Sequence, residues 1–311
     1  MRRMKTDVLS ELPEKIEHTI YSDFVPEQKK LYEAFLMAAK KEVRELADNG
    51  GSSIKILTLL LRLRQICCHP ALFDEAYKKD SGKLILGLDD SFPPMGFKDE
   101  NNEITGFDVD LAKEASKRLG REVEFKAIDW SSKEAELKSG RVNVLWNGLD
   151  ITEKRKENML FSDPYMDNRQ IIFVKKGRTD ITDEKSLAGK IVGTQSASTA
   201  EEYMDKTDFF KKDVKEVKKY SDFVTAFMDL ENGRVDAIVG DEIVGRYYMS
   251  KHPEAIDAVD VAVGPVSQFG IAFAKDNKAL RDDVQKVLDE MKADGTTAKI
   301  SEKWFGKDIT K

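Results

Sequence analysis

The residues of this chain whose types and spacing suit chemistry are a few acids, one arginine and two aromatic rings. Arg155, in Thr152-Glu153-Lys154-Arg155-Lys156, carries a planar two-pronged donor that suits a carboxylate better than lysine would. An arginine between lysines also serves as a plain surface charge. Asp241 ends the apolar run Ala237-Ile238-Val239-Gly240, where an acid can meet a cation or simply cap the next helix. Asp89 ends another apolar run, and Asp150 follows Gly148-Leu149; a carboxyl buried beside Asp241 or Asp89 would have a raised pKa suited to proton transfer. Phe92 and Trp130 offer faces to a ligand or to a core. Cys67 and Cys68 are adjacent, poorly placed to bridge each other, and even with His69 they lack the convergent partners of a metal site. The phosphate-cradling loop and the acidic magnesium-binding motif of an NTPase are missing, which excludes a working motor.

Positioning these groups falls to short apolar runs that alternate with amphipathic helical patterns. Leu84–Leu88, Val123–Ile128 and Val142–Trp146 read as strands, with helices over 108–120 and 133–140. The rhythm restarts at Lys190-Ile191-Val192-Gly193, runs through 223–233 and 235–241, and ends in helices around Asp282–Lys292 and Thr297–Trp304. Two α/β lobes with mostly parallel sheets follow. Ligands of such sheets sit beyond the carboxyl ends of strands, so a cleft between lobes gathers strand ends and helix N-termini around one molecule.

A length of 311 residues leaves room for two or three domains. Up to Lys83 basic residues outnumber acidic ones by 15 to 13, and beyond it acidic ones lead by 44 to 36, so the chain advertises no basic face to nucleic acid. No run of about 18 apolar residues is present to span a membrane. The start, Met1–Lys15, has no apolar signal-peptide core, so the chain as written is expected to stay where it is made. Before Leu84, Glu27–Leu46 and Ile54–Cys67 show helical spacing broken at Asn49-Gly50-Gly51, which predicts two helices. Arg2, Arg3, Arg62 and Arg64 read better as the rim of a packed helical face than as a nucleic-acid patch.

The stretch from Leu84 to Asp110, then Leu137–Met166, Gly233–Glu242 and Phe269–Lys275, resembles the type II solute-binding proteins of polar amino-acid ABC transporters, motif by motif and in order. The resemblance implies a two-lobed type II periplasmic-binding-protein fold, of the Venus-flytrap kind, behind an N-terminal helical extension. The chain would cross between lobes near Arg169–Phe173 and Ser267–Ala272, giving one lobe of 84–171 and 269–311 and a second of 172–268. By the same resemblance Arg155 grips the ligand's α-carboxylate and Asp241 pairs with its ammonium. Phe92 and Trp130 sandwich its side chain. Asn147, Gly148, Gln195, Ser198 and Thr199 supply backbone and hydroxyl donors, the last three at a helix start. Asp89 meets a cationic or amide side chain. The implied partners are a small amino acid and a membrane-embedded permease, with the protein a monomer outside the cytoplasm, in the periplasm or as a cell-surface lipoprotein. Neither cofactor nor metal is implied. Two positions depart from the pattern: Asp150 stands where the family has Ser or Thr, and would repel the ligand carboxylate unless Arg155 or a proton offsets it. Asn143 stands where the family commonly has Asp, and is expected to remove a charge close to the site.

Residues 1–83, through Arg2–His18, Glu27–Leu36, Leu59–Glu75 and Asp80–Leu84, resemble the segment between the motor lobes of Swi/Snf-type helicase-like ATPases, stripped of nucleotide-binding motifs. Two alternatives to ligand binding follow: a dehydratase-like cleft enzyme with Asp150 as general acid, or an interaction module that docks through residues 1–83 on a helicase or nucleic acid.

Overall fold

The computed structural model describes residues 29, 32–37, 39, 40, 43, 53–68 and 82–311. The chain divides into two compact units, 1–78 and 79–311. In the first, the described residues between 29 and 43 are helical, and helix α1 spans Ser53–Cys68. Leu57, Leu60, Leu61, Arg62 and Arg64 on it are exposed. His69, Arg2, Arg3 and the expected break at Asn49-Gly50-Gly51 lie outside the described residues. Among the described residues, no helix is long and apolar enough to cross a membrane and no acid, histidine or cysteine cluster could hold a metal.

The second unit holds two five-stranded sheets and a small three-stranded one of β2 (Ser91–Phe92), β3 (Gly96–Lys98) and β4 (Ile104–Thr105). In the first sheet, β1 (Lys83–Leu88) pairs in parallel with β5 (Glu122–Ala127) and β6 (Val144–Leu145). There β15 (Ala272–Ala274) runs antiparallel between β6 and β7 (Met159–Phe161). In the second, β10 (Ile191–Gln195) lies parallel to β11 (Glu216–Tyr220) and β12 (Ala237–Asp241), and β9 (Gln170–Lys175) runs antiparallel to β12 and to β13 (Ile256–Ala262). Each sheet is therefore parallel where helical crossovers connect its strands and antiparallel where the chain enters from the other lobe.

Helix α2 (Phe107–Leu119) shows how the pattern works. Phe107, Leu111, Ala112 and Ala115 recur at three- and four-residue steps and are buried, and Gly120 ends the helix in the left-handed conformation, where its N–H reaches Lys117 O. Helices α3 (Lys133–Lys138) and α4 (Glu153–Asn158) complete the first lobe with the long C-terminal α9 (Lys278–Ala293) and α10 (Thr296–Phe305). The second lobe carries α5 (Thr199–Lys206), α6 (Asp208–Lys212), α7 (Phe223–Glu231) and α8 (Glu242–Lys251).

The lobes are joined by a two-stranded antiparallel ribbon, β8 (Met166–Asn168) against β14 (Ser267–Phe269). The first crossover thus precedes Arg169–Phe173, which lies at and within β9, and the expected boundary at 171/172 falls inside a strand of the second sheet. The reason is hydrogen bonding: Gln170–Val174 pair with β12 in unbroken register, which leaves only the residues before them to bridge.

Candidate inter-lobe binding site

Four parallel strands point their carboxyl ends at the space between the lobes, and each delivers a polar group. Asp89 follows β1, Asn147 follows β6, Gln195 ends β10 and Asp241 ends β12; all four are buried. Asp89 donates its N–H to Asn147 Oδ1 at 2.8 Å. Its carboxylate accepts from Ser91 N at 2.9 Å and, across the lobes, from Gln195 Nε2 at 2.6 Å. Burial pushes the Asp89 carboxyl up to about 6, against the pull of those two hydrogen bonds. Gln195 Nε2 also donates to Ser221 O at 3.0 Å, and Gln195 Oε1 and Asn147 Nδ2 are buried without a hydrogen-bond partner.

A second knot sits on the ribbon. Asn168 Nδ2 donates to Asp150 from the first lobe, at 3.0 and 3.3 Å, and to Asp241 from the second, at 2.5 Å. Ser267, on the other ribbon strand, donates to Asp150 at 2.6 Å, and Gln170 Nε2 to Asp241 at 2.8 Å. Two carboxylates buried together disfavour their joint ionisation. Burial, then the charge of Asp150, pushes Asp241 up to about 7, and burial raises Asp150 against its hydroxyl and amide donors.

The cationic end lies where α4 meets the start of α5. Arg155, 1% exposed, donates from Nη1 to its own lobe's Asp150 O at 2.9 Å and to Thr199 Oγ1 at 3.2 Å. Its Nη2 reaches Ala197 O at 3.3 Å and pairs with Glu202 at 3.1 Å; its Nε is buried without a partner. The arginine is thus no surface charge but a tie from one lobe to the other. Ser198 Oγ caps α5 by accepting Glu201 N at 3.1 Å, the plain role of such a residue.

Two expected residues, Gly148 and Asn143, have surroundings other than those expected. Gly148 N–H is no open donor: it is bonded to the buried Asp108 carboxylate at 2.7 Å, and its φ of +57° with Phe92 Cε1 only 2.8 Å from where a Cβ would stand is why glycine is required. Phe92 and Trp130 do not pack as a pair. Phe92 meets Phe223 of the second lobe at 6.0 Å, whereas Trp130 belongs to a small core with Leu137, Val142 and Leu149. Asn143 is remote from the cleft. Its amide accepts from Ile85 N at 2.8 Å and donates to Lys83 O at 3.0 Å at the opposite end of β1, a dual role that an ionised carboxylate cannot fill. Asn168, Gln170, Ser267, Glu202 and Lys133 enter the site without any sequence signal, since an amide or hydroxyl in a short strand has no pattern that marks which residue it will face.

A clamp of strand ends from two lobes, joined by a two-strand ribbon, is the architecture of a solute receptor, and residues 84–307 match the bacterial extracellular solute-binding proteins, family 3. The chain belongs to that family. Residues 1–72 match, weakly, the SNF2-related domain. This family 3 protein is 34% identical over 236 residues to the L-cystine-binding protein TcyJ of Escherichia coli (strain K12), covering 75% of this chain and 86% of that one. It is 33% identical to the ABC transporter arginine-binding protein 1 of the same strain, over 72% of this chain and 90% of that one. Among solved structures, an ancestral arginine-binding protein bound to arginine superposes with a TM-score of 0.68 at 44% identity, covering 72% of this chain and 99% of its own. A substrate-binding protein of an ABC uptake transporter from Streptococcus pneumoniae, with bound histidine, gives 0.71 at 31% identity, over 76% of this chain and 97% of that one.

Proposed function

We propose that residues 84–307 are the extracytoplasmic solute-binding component of an amino-acid ABC importer, and that they clamp a polar α-amino acid with a cationic side chain by hinge closure at the β8/β14 ribbon. The observation that carries the reading is the division of charge in the cleft, with buried acids at the ribbon and at Asp89 and a buried arginine at the start of α5. An α-carboxylate exchanges for Glu202 and Ala197 O at Arg155 and takes the Thr199 hydroxyl and the positive end of α5. The ammonium goes between Asp241 and Asp150, where it supplies the positive charge that two neighbouring carboxylates require. On this reading Asp150 belongs to the ammonium's surroundings, so its place in a motif that usually carries Ser or Thr is no obstacle to carboxylate binding. The side chain extends along Phe92 towards Asp89 and Gln195, and a carboxylate there favours a guanidinium over an uncharged disulfide. Arginine and cystine, for which two of the relatives are named, are the two candidates.

No bond is made or broken. The family binds solutes, so the dehydratase reading of Asp150 lapses. The partner is a permease, and the protein works in the periplasm or at the cell surface. Thermal unfolding against the twenty amino acids, cystine, ornithine and polyamines tests the reading. A true ligand at a hundred times its Kd adds about 2.7 kcal/mol to stability, a shift of several degrees. No shift with any α-amino acid would end the proposal.

A further inference from the structure

Lys133 is the least expected residue near the cleft. It opens α3 in the first lobe, is 3% exposed, and lies beside the small apolar core of Trp130 and Leu137, where an aliphatic side chain would pack at no electrostatic cost. Both acceptors of its ammonium are backbone carbonyls: Trp130 O at 3.2 Å in its own lobe and Ala197 O at 2.8 Å in the other. The group also stands 5.0 Å from the Trp130 ring. Burial, reinforced by Arg155, pushes its pKa down to about 7, with Glu134, Glu202 and Glu201 opposing. The site therefore carries a cost that packing does not explain.

Ala197 supplies the counterpart. It adopts φ +57°, a left-handed conformation rare for a residue with a Cβ, and its carbonyl receives two cations of the first lobe, Lys133 Nζ and Arg155 Nη2. Ser198 and Thr199, the cap and first residue of α5, follow directly. Lys133 also walls a crevice of about 410 Å³ whose sides come from the two lobes, with Glu134 facing Glu201 and Glu202.

The geometry points to Lys133 as a cross-cleft latch, a positioning residue that grips the Ala197 carbonyl, holds the α5 start against Arg155 and slows reopening of the lobes. It needs no ligand contact, and it rests on the clamp reading of the cleft. In the open arrangement the ammonium loses the Ala197 acceptor, so the latch acts on the closed state alone.

The test uses the full chain with Cys67→Ser and Cys68→Ser, spin labels at Lys138→Cys and Lys212→Cys, and pulsed distance measurement without ligand. Lys133→Met and Lys133→Gln are expected to lose most of the short-distance population, and Lys133→Arg to retain it. With L-arginine, both losses should raise the dissociation rate at least tenfold and leave the association rate within twofold. Unchanged distance distributions in Lys133→Met and Lys133→Gln overturn the latch, even where the melting temperature falls. If no amino acid binds the parent protein, the clamp's ligand is wrong, and the ligand-free distances still decide the latch.

Discussion

The two ends of the cleft solve opposite problems. At the α5 start, Arg155 is almost fully engaged by the protein itself, with Asp150 O, Thr199, Ala197 O and Glu202 taking the donors of its two terminal nitrogens. At the ribbon, Asp150 and Asp241 share one amide donor and are held above the ordinary carboxylate range by burial. One end must give up bonds to receive an anion, and the other lacks positive charge until a cation arrives. Recognition of a zwitterion is therefore an exchange at one end and a neutralisation at the other, and the second supplies the driving force for closure.

The sharpest way to break this contrast is to empty the cationic end. Arg155→Ala leaves Glu202 partly buried without its partner and removes the carboxylate grip; affinity for the cognate amino acid is expected to fall by about 3–5 kcal/mol, read by calorimetric titration. Asp241→Asn removes the ammonium's partner at the other end and should cost roughly 2–3 kcal/mol in the same measurement, the worth of a charged hydrogen bond left unmade. Asp108 separates the cleft acids from an acid of the first lobe's own core. Burial pushes it up to about 7 against the Gly148 and Tyr165 bonds, so the folded state holds its proton more tightly than the unfolded chain does. Its contribution is fully present below about pH 3.8 and is lost as pH rises towards 7, at up to about 1.4 kcal/mol per unit. Asp108→Asn should flatten that part of the ligand-free unfolding profile between pH 4 and 7 without abolishing binding. The smallest expected effect is that of Asp150→Thr, which relieves repulsion of Asp241 but weakens the ammonium's surroundings. It should lower the pKa of Asp241 and change affinity by no more than about 1.4 kcal/mol, or tenfold.

What the sequence reveals follows from what each residue needs locally. Strands and helices were legible because burial imposes a period, as at Ala237–Asp241, buried throughout, or at Phe107, Leu111 and Ala115 on α2. Asp89 and Asp241 are legible as polar residues at the ends of apolar strands, Gln195 only through the family resemblance and there as a helix-start donor, and all three are buried at the space between the lobes. The motif around Gly148 records that glycine is needed but not whether an N–H or the lack of a Cβ is what matters. Nothing in the neighbours of Asn143 tells which end of β1 it will bind. Asn168 and Lys133 were invisible, since their partners lie 18, 73 and 64 residues away and exist only when the lobes meet. The antiparallel strands β9 and β15 escaped the alternating strand-helix reading because they are reached by the crossing ribbon and not through a helix.

Recognition of both ends of a zwitterion together is tested by a calorimetric titration of the full chain with L-arginine and with agmatine, its decarboxylated counterpart. L-arginine is expected to bind at least a hundredfold more tightly, because only it engages Arg155 and the α5 start. Equal or tighter binding of agmatine would contradict it and would assign the cleft to amines, with Arg155 left in its pairing with Glu202.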